Sequence, residues 1–302
     1  MSRSAAPKAN PEALLREGAP VSRAVVPAPS MQGHAGVGLR FKQRLAAGEL
    51  LLGCNVRHSR TPEIGAMLRD CGYSWLMLDD EHSPMTPHLA YDIALGALRA
   101  GMLPLARVRR NDEAEIASWL SNGALGVIVP HVESAEAALR ASRAARYAPD
   151  GALSVPGSIP QFGYGIPLAE ASRRFNAEAV TVLMIESEAA VEAAHEIAAT
   201  PQVDALFVGS SDLVYSMGLP GGYDHPRYLR ALERVADAAR GHGRAFGVGG
   251  VGRDAQWEAV FALGARLVLT ENDLSMIVNR ARERVAFFAS MMESARRAPS
   301  AP

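Results

Sequence analysis

The sequence predicts an α/β chain folded as a (β/α)8 TIM barrel, and three observations lead there. From about residue 50, short apolar runs alternate eight times with longer helical patterns, as in a closed sheet wrapped by helices. Many of those patterns end at a glycine, as at Cys71-Gly72, Ala100-Gly101, Asn122-Gly123 and Leu263-Gly264, where a left-handed cap needs no Cβ. The first apolar run continues into Val56-Arg57-His58-Ser59-Arg60, which lacks the glycine-rich nucleotide turn of an open doubly wound sheet.

Taken in order, strands are expected at 51–55, 75–79, 103–107, 126–130, 180–186, 205–208, 245–248 and 267–270. Each is short and apolar, as inner strands covered by helices must be. Helices are expected at 62–71, 87–100, 112–122, 134–146, 188–199, 226–242, 254–263 and 273–294. One connection breaks the rhythm. Residues 147–179, between the fourth and fifth strands, are rich in proline and glycine and far longer than an ordinary loop. Such loops are commonly lids or contact arms, and Phe162 and Tyr164 are the residues expected to cover a pocket or pack on a neighbouring subunit. Gly247, Gly249, Gly250 and Gly252 follow the seventh strand; with no Lys or Thr at P-loop spacing they read as a flexible loop rather than a phosphate cradle. The barrel domain is expected over 41–295, between a disordered N-terminal arm, 1–40, and a disordered tail, 296–302.

Composition excludes several classes of function. The chain has 302 residues, 48% of them hydrophobic, enough for one large core. Lys and Arg total 31 against 32 Asp and Glu, so no basic field favours nucleic acid or an anionic membrane. No apolar run approaches the roughly 20 residues that span a bilayer. Cys54 and Cys71 are the only thiols, which suits a reducing compartment, the cytoplasm, better than a disulfide framework. Residues 2–36 carry no continuous apolar segment of a signal peptide; an organellar transit segment is the alternative for this arm.

The stretch Trp75-Leu76-Met77-Leu78-Asp79-Asp80-Glu81-His82 reads as a buried strand that delivers carboxylates and an imidazole to the rim where barrels place their sites. Other strand ends add to that rim: Arg107, Pro130 and His131, Glu186, and Asp212 after the sixth strand. Glu186 and Asp212 emerge from adjacent strands, and two carboxylates with space for water and substrate oxygens suit Mg²⁺ or Mn²⁺. Taken singly, each also reads as a helix cap. Arg107 brings a planar fork that can hold a carboxylate; a salt bridge to Asp79 or Glu81 is its structural alternative. His82 is the best-placed acid or base, with His131 a second.

The pieces Leu78-Asp79-Asp80-Glu81-His82, Arg107 before Asn111-Asp112, Gly123-Ala124 leading to Val129-Pro130, Ile185-Glu186, and Gly209-Ser210-Ser211-Asp212-Leu213 with Met217-Gly218 resemble the HpcH/HpaI aldolase family, metal-dependent class II pyruvate aldolases. The resemblance covers about 50–290. It implies a barrel of the phosphoenolpyruvate/pyruvate superfamily that exchanges its last helix in a dimer and assembles further, up to a trimer of dimers. It implies Glu186 and Asp212 as ligands of Mg²⁺, Mn²⁺ or Co²⁺, with a 2-oxo acid such as pyruvate or oxaloacetate bound there. Arg107 would stabilise the enolate, and Gly209, Ser210, Ser211 and Asp212 would hold the carboxylate. His82 would be the base, acting through a bound water, with Asp79 and Glu81 supporting. The implied reaction is aldol cleavage or formation of 4-hydroxy-2-oxo acids with an aldehyde as second partner. Decarboxylation of oxaloacetate, a carbon–carbon bond-forming synthase, and a non-catalytic 2-oxo-acid-binding member are its alternatives. Three departures stand out. Ser121-Asn122 replace the acid that pairs with the base from a neighbouring subunit, Met184 stands where relatives often have Gln, and Leu153-Ser154 replace an Arg-Gly.

Overall fold

Strand β1 (Leu51–Val56) pairs in parallel with β2 (Trp75–Asp79) on one side and β8 (Leu267–Asn272) on the other, and that second pairing closes the sheet. Between them β3 (Leu103–Arg107), β4 (Gly126–Val129), β5 (Val180–Ile185), β6 (Ala205–Gly209) and β7 (Ala245–Gly249) follow in chain order. The protein is thus an eight-stranded parallel barrel, as expected. The computed structural model describes residues 36–251 and 254–297. Most of the expected arm, Gly252, and the tail from 298 onward lie outside the described residues.

Strands β2 to β6 are buried along their whole length. Inside the barrel Trp75 meets Phe207 edge to face at 6.4 Å, and the indole Nε1 donates to Leu51 O at 3.0 Å. This packing explains the glycines of neighbouring strands. A Cβ on Gly53 would lie 2.1 Å from Trp75 Cε2, and one on Gly247 would lie 2.6 Å from Phe207 Cδ2. The glycines of β7 therefore make room for an aromatic ring.

The helices that wrap the sheet are α2 (Ile64–Asp70), α3 (Pro87–Arg99), α4 (Glu113–Ser121), α5 (Ala135–Ala144), the pair α7 (Glu188–Glu192) and α8 (Ala194–Ala199), α10 (Pro226–Gly241) and α11 (Trp257–Ala262). Thr86, Asp112, Ser134 and Ser187 cap four of them, each accepting from the amide three residues on. Gly72, Gly101, Gly123 and Gly264 all have positive φ, so the glycine stops are left-handed as expected.

Three α-helices among the described residues were not expected. α1 (Val37–Ala46) begins inside the segment assigned to the arm. The carboxylate of Glu178 accepts from the Gly36 and Gly38 amides at 3.1 and 3.2 Å, and Val37 and Phe41 are buried. α6 (Leu168–Glu178) supplies that carboxylate. α9 (Ser210–Ser216) starts directly at the end of β6.

Of the two readings of 147–179, a lid or a contact arm, the structure corrects the lid over this chain's own rim. It leaves α5 and enters β5, so it lies at the N-terminal ends of the strands, opposite the rim. Gln161 anchors it there, donating from Nε2 to Leu120 O and Ala124 O at 2.6 and 2.7 Å. Phe162 is buried beneath the Arg174 guanidinium, and Tyr164 is exposed with its hydroxyl 2.7 Å from that of Tyr91.

The last helix, α12 (Asp273–Arg297), runs for 25 residues, about 37 Å at 1.5 Å per residue. Ile277, Val285, Phe287, Phe288, Met291 and Met292 on it are exposed. No helix among the described residues is long and apolar enough to cross a membrane.

Candidate active site

The C-terminal ends of the strands open into a cavity of about 310 Å³, lined by Arg107, Gly209, Ser210, Ser211 and Asp212 and by Asn55, Arg57, Thr270, Glu271 and Asn272. His82 stands at its mouth, and Met77, Met184, Phe207 and Leu269 supply its apolar surface.

Strand register sets up the buried charges. Asp79 ends β2 directly beside Arg107, which ends β3. Arg107 donates from Nε and Nη2 to Asp79 Oδ1 at 3.0 and 2.8 Å and from Nη2 to Oδ2 at 2.8 Å, while Nη1 lies 2.9 Å from Glu81 Oε2. The guanidinium is therefore held by both candidate partners. Burial alone would raise the Asp79 pKa, but the hydrogen bonds and charge of Arg107, with a further bond from Asn55 Nδ2 at 3.1 Å, hold it below the ordinary value. Asp80 turns away from the cavity and accepts from Trp119 Nε1 at 3.0 Å.

Glu186 follows β5 and is buried. Its Oε2 accepts from the His131 amide at 3.0 Å and lies 3.4 Å from His131 Nδ1. Burial pushes its carboxyl pKa up, Glu81 and Asp212 add to that, and His131 opposes it. Gly209 makes the placement possible, because a Cβ there would lie 2.5 Å from Glu186 Oε1. Asp212 sits in the first turn of α9. Ser210 is buried and accepts from the Tyr228 hydroxyl at 2.8 Å, and Ser211 Oγ donates to Gly250 O at 3.2 Å.

Among the described residues, no group of three or more His, Cys, Asp or Glu side chains is arranged to hold a metal ion. Glu186 with Asp212 is a two-carboxylate donor set, the kind Mg²⁺ takes together with water and substrate oxygens. A buried carboxylate destabilised by two others nearby fits a cation, and the Cβ-free surface of Gly209 leaves the carboxylate its place.

The two imidazoles of the rim, His82 and His131, differ in how they are held. His82 is more than half exposed and reaches only Glu81, with Nε2 3.8 Å from Oε2. His131 Nε2 lies 3.1 Å from Glu81 Oε1, so its ring bridges Glu81 and Glu186. His131 adopts a φ of 54°, a left-handed conformation uncommon outside glycine. Ser121 closes the last turn of α4 and Asn122 follows it, at the N-terminal end of the barrel and away from this chain's own cavity. Met184 does line the cavity; Leu153 is buried elsewhere.

Sequence reasoning passed over the wall formed by Asn55, Arg57, Glu271 and Asn272. β1 and β8 both run further than the apolar pattern suggests, and the register between them shifts at Gly53/Cys54. The signal available was the polar run Thr270-Glu271-Asn272-Asp273 directly after an apolar strand.

Comparison with known proteins identifies the family. The family model HpcH/HpaI aldolase/citrate lyase matches residues 58–269. A 4-hydroxy-4-methyl-2-oxoglutarate aldolase of Hapsidospora irregularis is 32% identical over 255 residues, covering 82% of this chain and 94% of the relative. A 5-keto-4-deoxy-D-glucarate aldolase of Enterobacter sp. (strain 638) is 33% identical over 238 residues, covering 76% and 91%. The crystal structure of an HpcH/HpaI aldolase from Desulfitobacterium hafniense superposes with a TM-score of 0.76 at 28% identity, covering 82% of this chain and 95% of that one. On these matches the chain belongs to the HpcH/HpaI aldolase/citrate lyase family of carbon–carbon lyases.

Proposed function

We propose that this protein is a divalent-metal-dependent aldolase that cleaves or forms 4-hydroxy-2-oxo acids through the enolate of a 2-oxo acid such as pyruvate. The observation that carries the reading is that the buried Glu186 carboxylate packs against Gly209 and feels the charge of Asp212, which lines the cavity together with Gly209 and Arg107. Glu186 and Asp212 would hold the ion, Mg²⁺, Mn²⁺ or Co²⁺. The ion supplies Lewis-acid polarisation of a keto oxygen when bound. Arg107, fixed by Asp79 and Glu81, places a preorganised positive charge where the enolate oxygen develops. The amides of Gly209, Ser210 and Ser211 would orient the substrate carboxylate. His82 moves the proton at the methyl carbon, Asp79 fixes the backbone of the loop by accepting from the His82 amide at 3.2 Å, and Glu81 links Arg107 to both imidazoles. The relatives named as aldolases of 2-oxo acids support this substrate class for the present chain.

Decarboxylation of oxaloacetate by the same residues is the second reading. The exposed His82, 3.8 Å from its nearest carboxylate, favours it, because loss of CO₂ yields the enolate without a base. The exposed apolar face of α12 supports a homo-oligomer in which a second copy covers that helix.

The test is direct. With Mn²⁺, Co²⁺ or Mg²⁺ the purified protein releases pyruvate from 4-hydroxy-2-oxo acids, and a chelator stops it. Full activity after complete metal removal overturns the reading.

A further inference from the structure

One oxygen of the Glu186 carboxylate is held twice by a single residue. His131 approaches Glu186 Oε2 with its backbone amide at 3.0 Å and with its ring Nδ1 at 3.4 Å. The other oxygen, Oε1, faces the Cβ-free surface of Gly209 and accepts no hydrogen bond among the described residues. Burial raises the Glu186 pKa, and the hydrogen bond and charge of His131 work against that rise.

The double contact depends on an unusual backbone. His131 sits at a φ of 54° between Pro130 and Val132, both buried. A residue with a side chain persists in the left-handed region only where its surroundings impose it, and such positions cluster at ligand clamps. The ring is more than half open to solvent, yet its two nitrogens face two different carboxylates, because Nε2 lies 3.1 Å from Glu81 Oε1. Glu81 in turn holds Arg107, with its Oε2 2.9 Å from Nη1. One side chain thus stands between Glu186 and the carboxylate that fixes the guanidinium.

Resting on the aldolase reading above, we infer that His131 is a positioning residue for the metal site: it occupies Oε2 of Glu186 and so leaves Oε1 as the oxygen offered to the divalent ion. Its ring, braced by Glu81, ties that carboxylate to the guanidinium of Arg107, so that the ion and the positive charge awaiting the enolate are held in one register. His131 acts through those two side chains. Partners in this outer position orient a ligand before the ion arrives, and their loss typically weakens metal binding by about ten- to a hundredfold.

The experiment is calorimetric titration of Mn²⁺ into the full-length protein and three variants. Glycine adopts a positive φ freely, so His131→Gly removes the ring and keeps the turn. It is expected to weaken Mn²⁺ binding by about ten- to a hundredfold while circular dichroism is unchanged. His131→Asn, whose side-chain amide takes the place of Nδ1 and which tolerates the left-handed region, is expected to restore most of that affinity. His131→Gln, whose longer amide takes the place of Nε2 at Glu81, is not. If His131→Gly binds Mn²⁺ as tightly as wild type, or if His131→Asn loses as much affinity as the other two, the inference is overturned. Because the readout is binding, it is separate from turnover. Metal-dependent pyruvate release by the wild type together with either of those results overturns the inference and leaves the aldolase reading in place. Weakened binding in His131→Gly and rescue by His131→Asn without pyruvate release from the wild type overturns the aldolase reading and upholds the positioning role. A wild type that binds no Mn²⁺ overturns both.

Discussion

Arg107 Nη2 lies 2.8 Å from each carboxylate oxygen of Asp79, across the last register pair of β2 and β3. This buried pair couples the site to the stability of the barrel. The Asp79 pKa is depressed in the folded state, so its contribution is fully present above the ordinary value of 3.8 and is lost as pH falls through the lower folded value. Asp79→Asn is expected to cost about 3 kcal/mol at pH 7, since it leaves buried guanidinium charge less compensated. Urea unfolding of both proteins at pH 7 and near pH 3 should show the gap narrowing in acid; a constant gap would remove Asp79 from the acid response.

Gly209→Ala isolates the placement of Glu186. The φ of Gly209 is −83°, which alanine adopts freely, so the defect comes from the Cβ meeting Glu186 Oε1. Metal-dependent turnover should fall by about a hundredfold, consistent with the loss of a few kcal/mol of transition-state stabilisation. Calorimetry should show weaker Mn²⁺ binding while circular dichroism is unchanged.

Glu186→Gln and Asp212→Asn should each abolish metal-dependent turnover while the melting temperature stays within a few degrees of wild type. Unchanged Mn²⁺ affinity in both variants would show that these carboxylates are not the ligands.

Gly53→Ala tests the barrel interior. A methyl group 2.1 Å from the Trp75 ring forces either the strand or the indole to move, and overpacking of this kind costs roughly 1–3 kcal/mol or more. Denaturant midpoints should reveal it, and wild-type stability would mean that the indole relocates freely.

His82→Ala separates proton transfer from carbon–carbon cleavage. Exchange of the pyruvate methyl protons with deuterium, followed by NMR, should slow by about a hundredfold or more, within the range of general-base catalysis. Oxaloacetate decarboxylation should fall far less. Equal losses in both assays would move the base to another group, and His131 is the first to examine because it contacts both Glu81 and Glu186.

The barrel was legible because its signals are local. Inner strands are continuous apolar runs, and Gly72, Gly101, Gly123 and Gly264 mark helix ends by their own backbone conformation. Glu186, Asp212 and Arg107 could be named because strand ends converge on one rim whatever the loops do. What escaped the sequence depends on contacts across long separations. α1 is fixed by Glu178, more than a hundred residues away, and the Arg57 wall depends on Asp273 and on a register shift between β1 and β8. The side of the barrel on which 147–179 falls follows from its position after α5, a matter of chain direction that proline and glycine content does not report.

Asp273 is both the first residue of α12 and the acceptor that fixes the loop carrying Arg57. A second copy covering the exposed apolar face of that helix would therefore rest on the same element whose first residue holds the end of β1 in place.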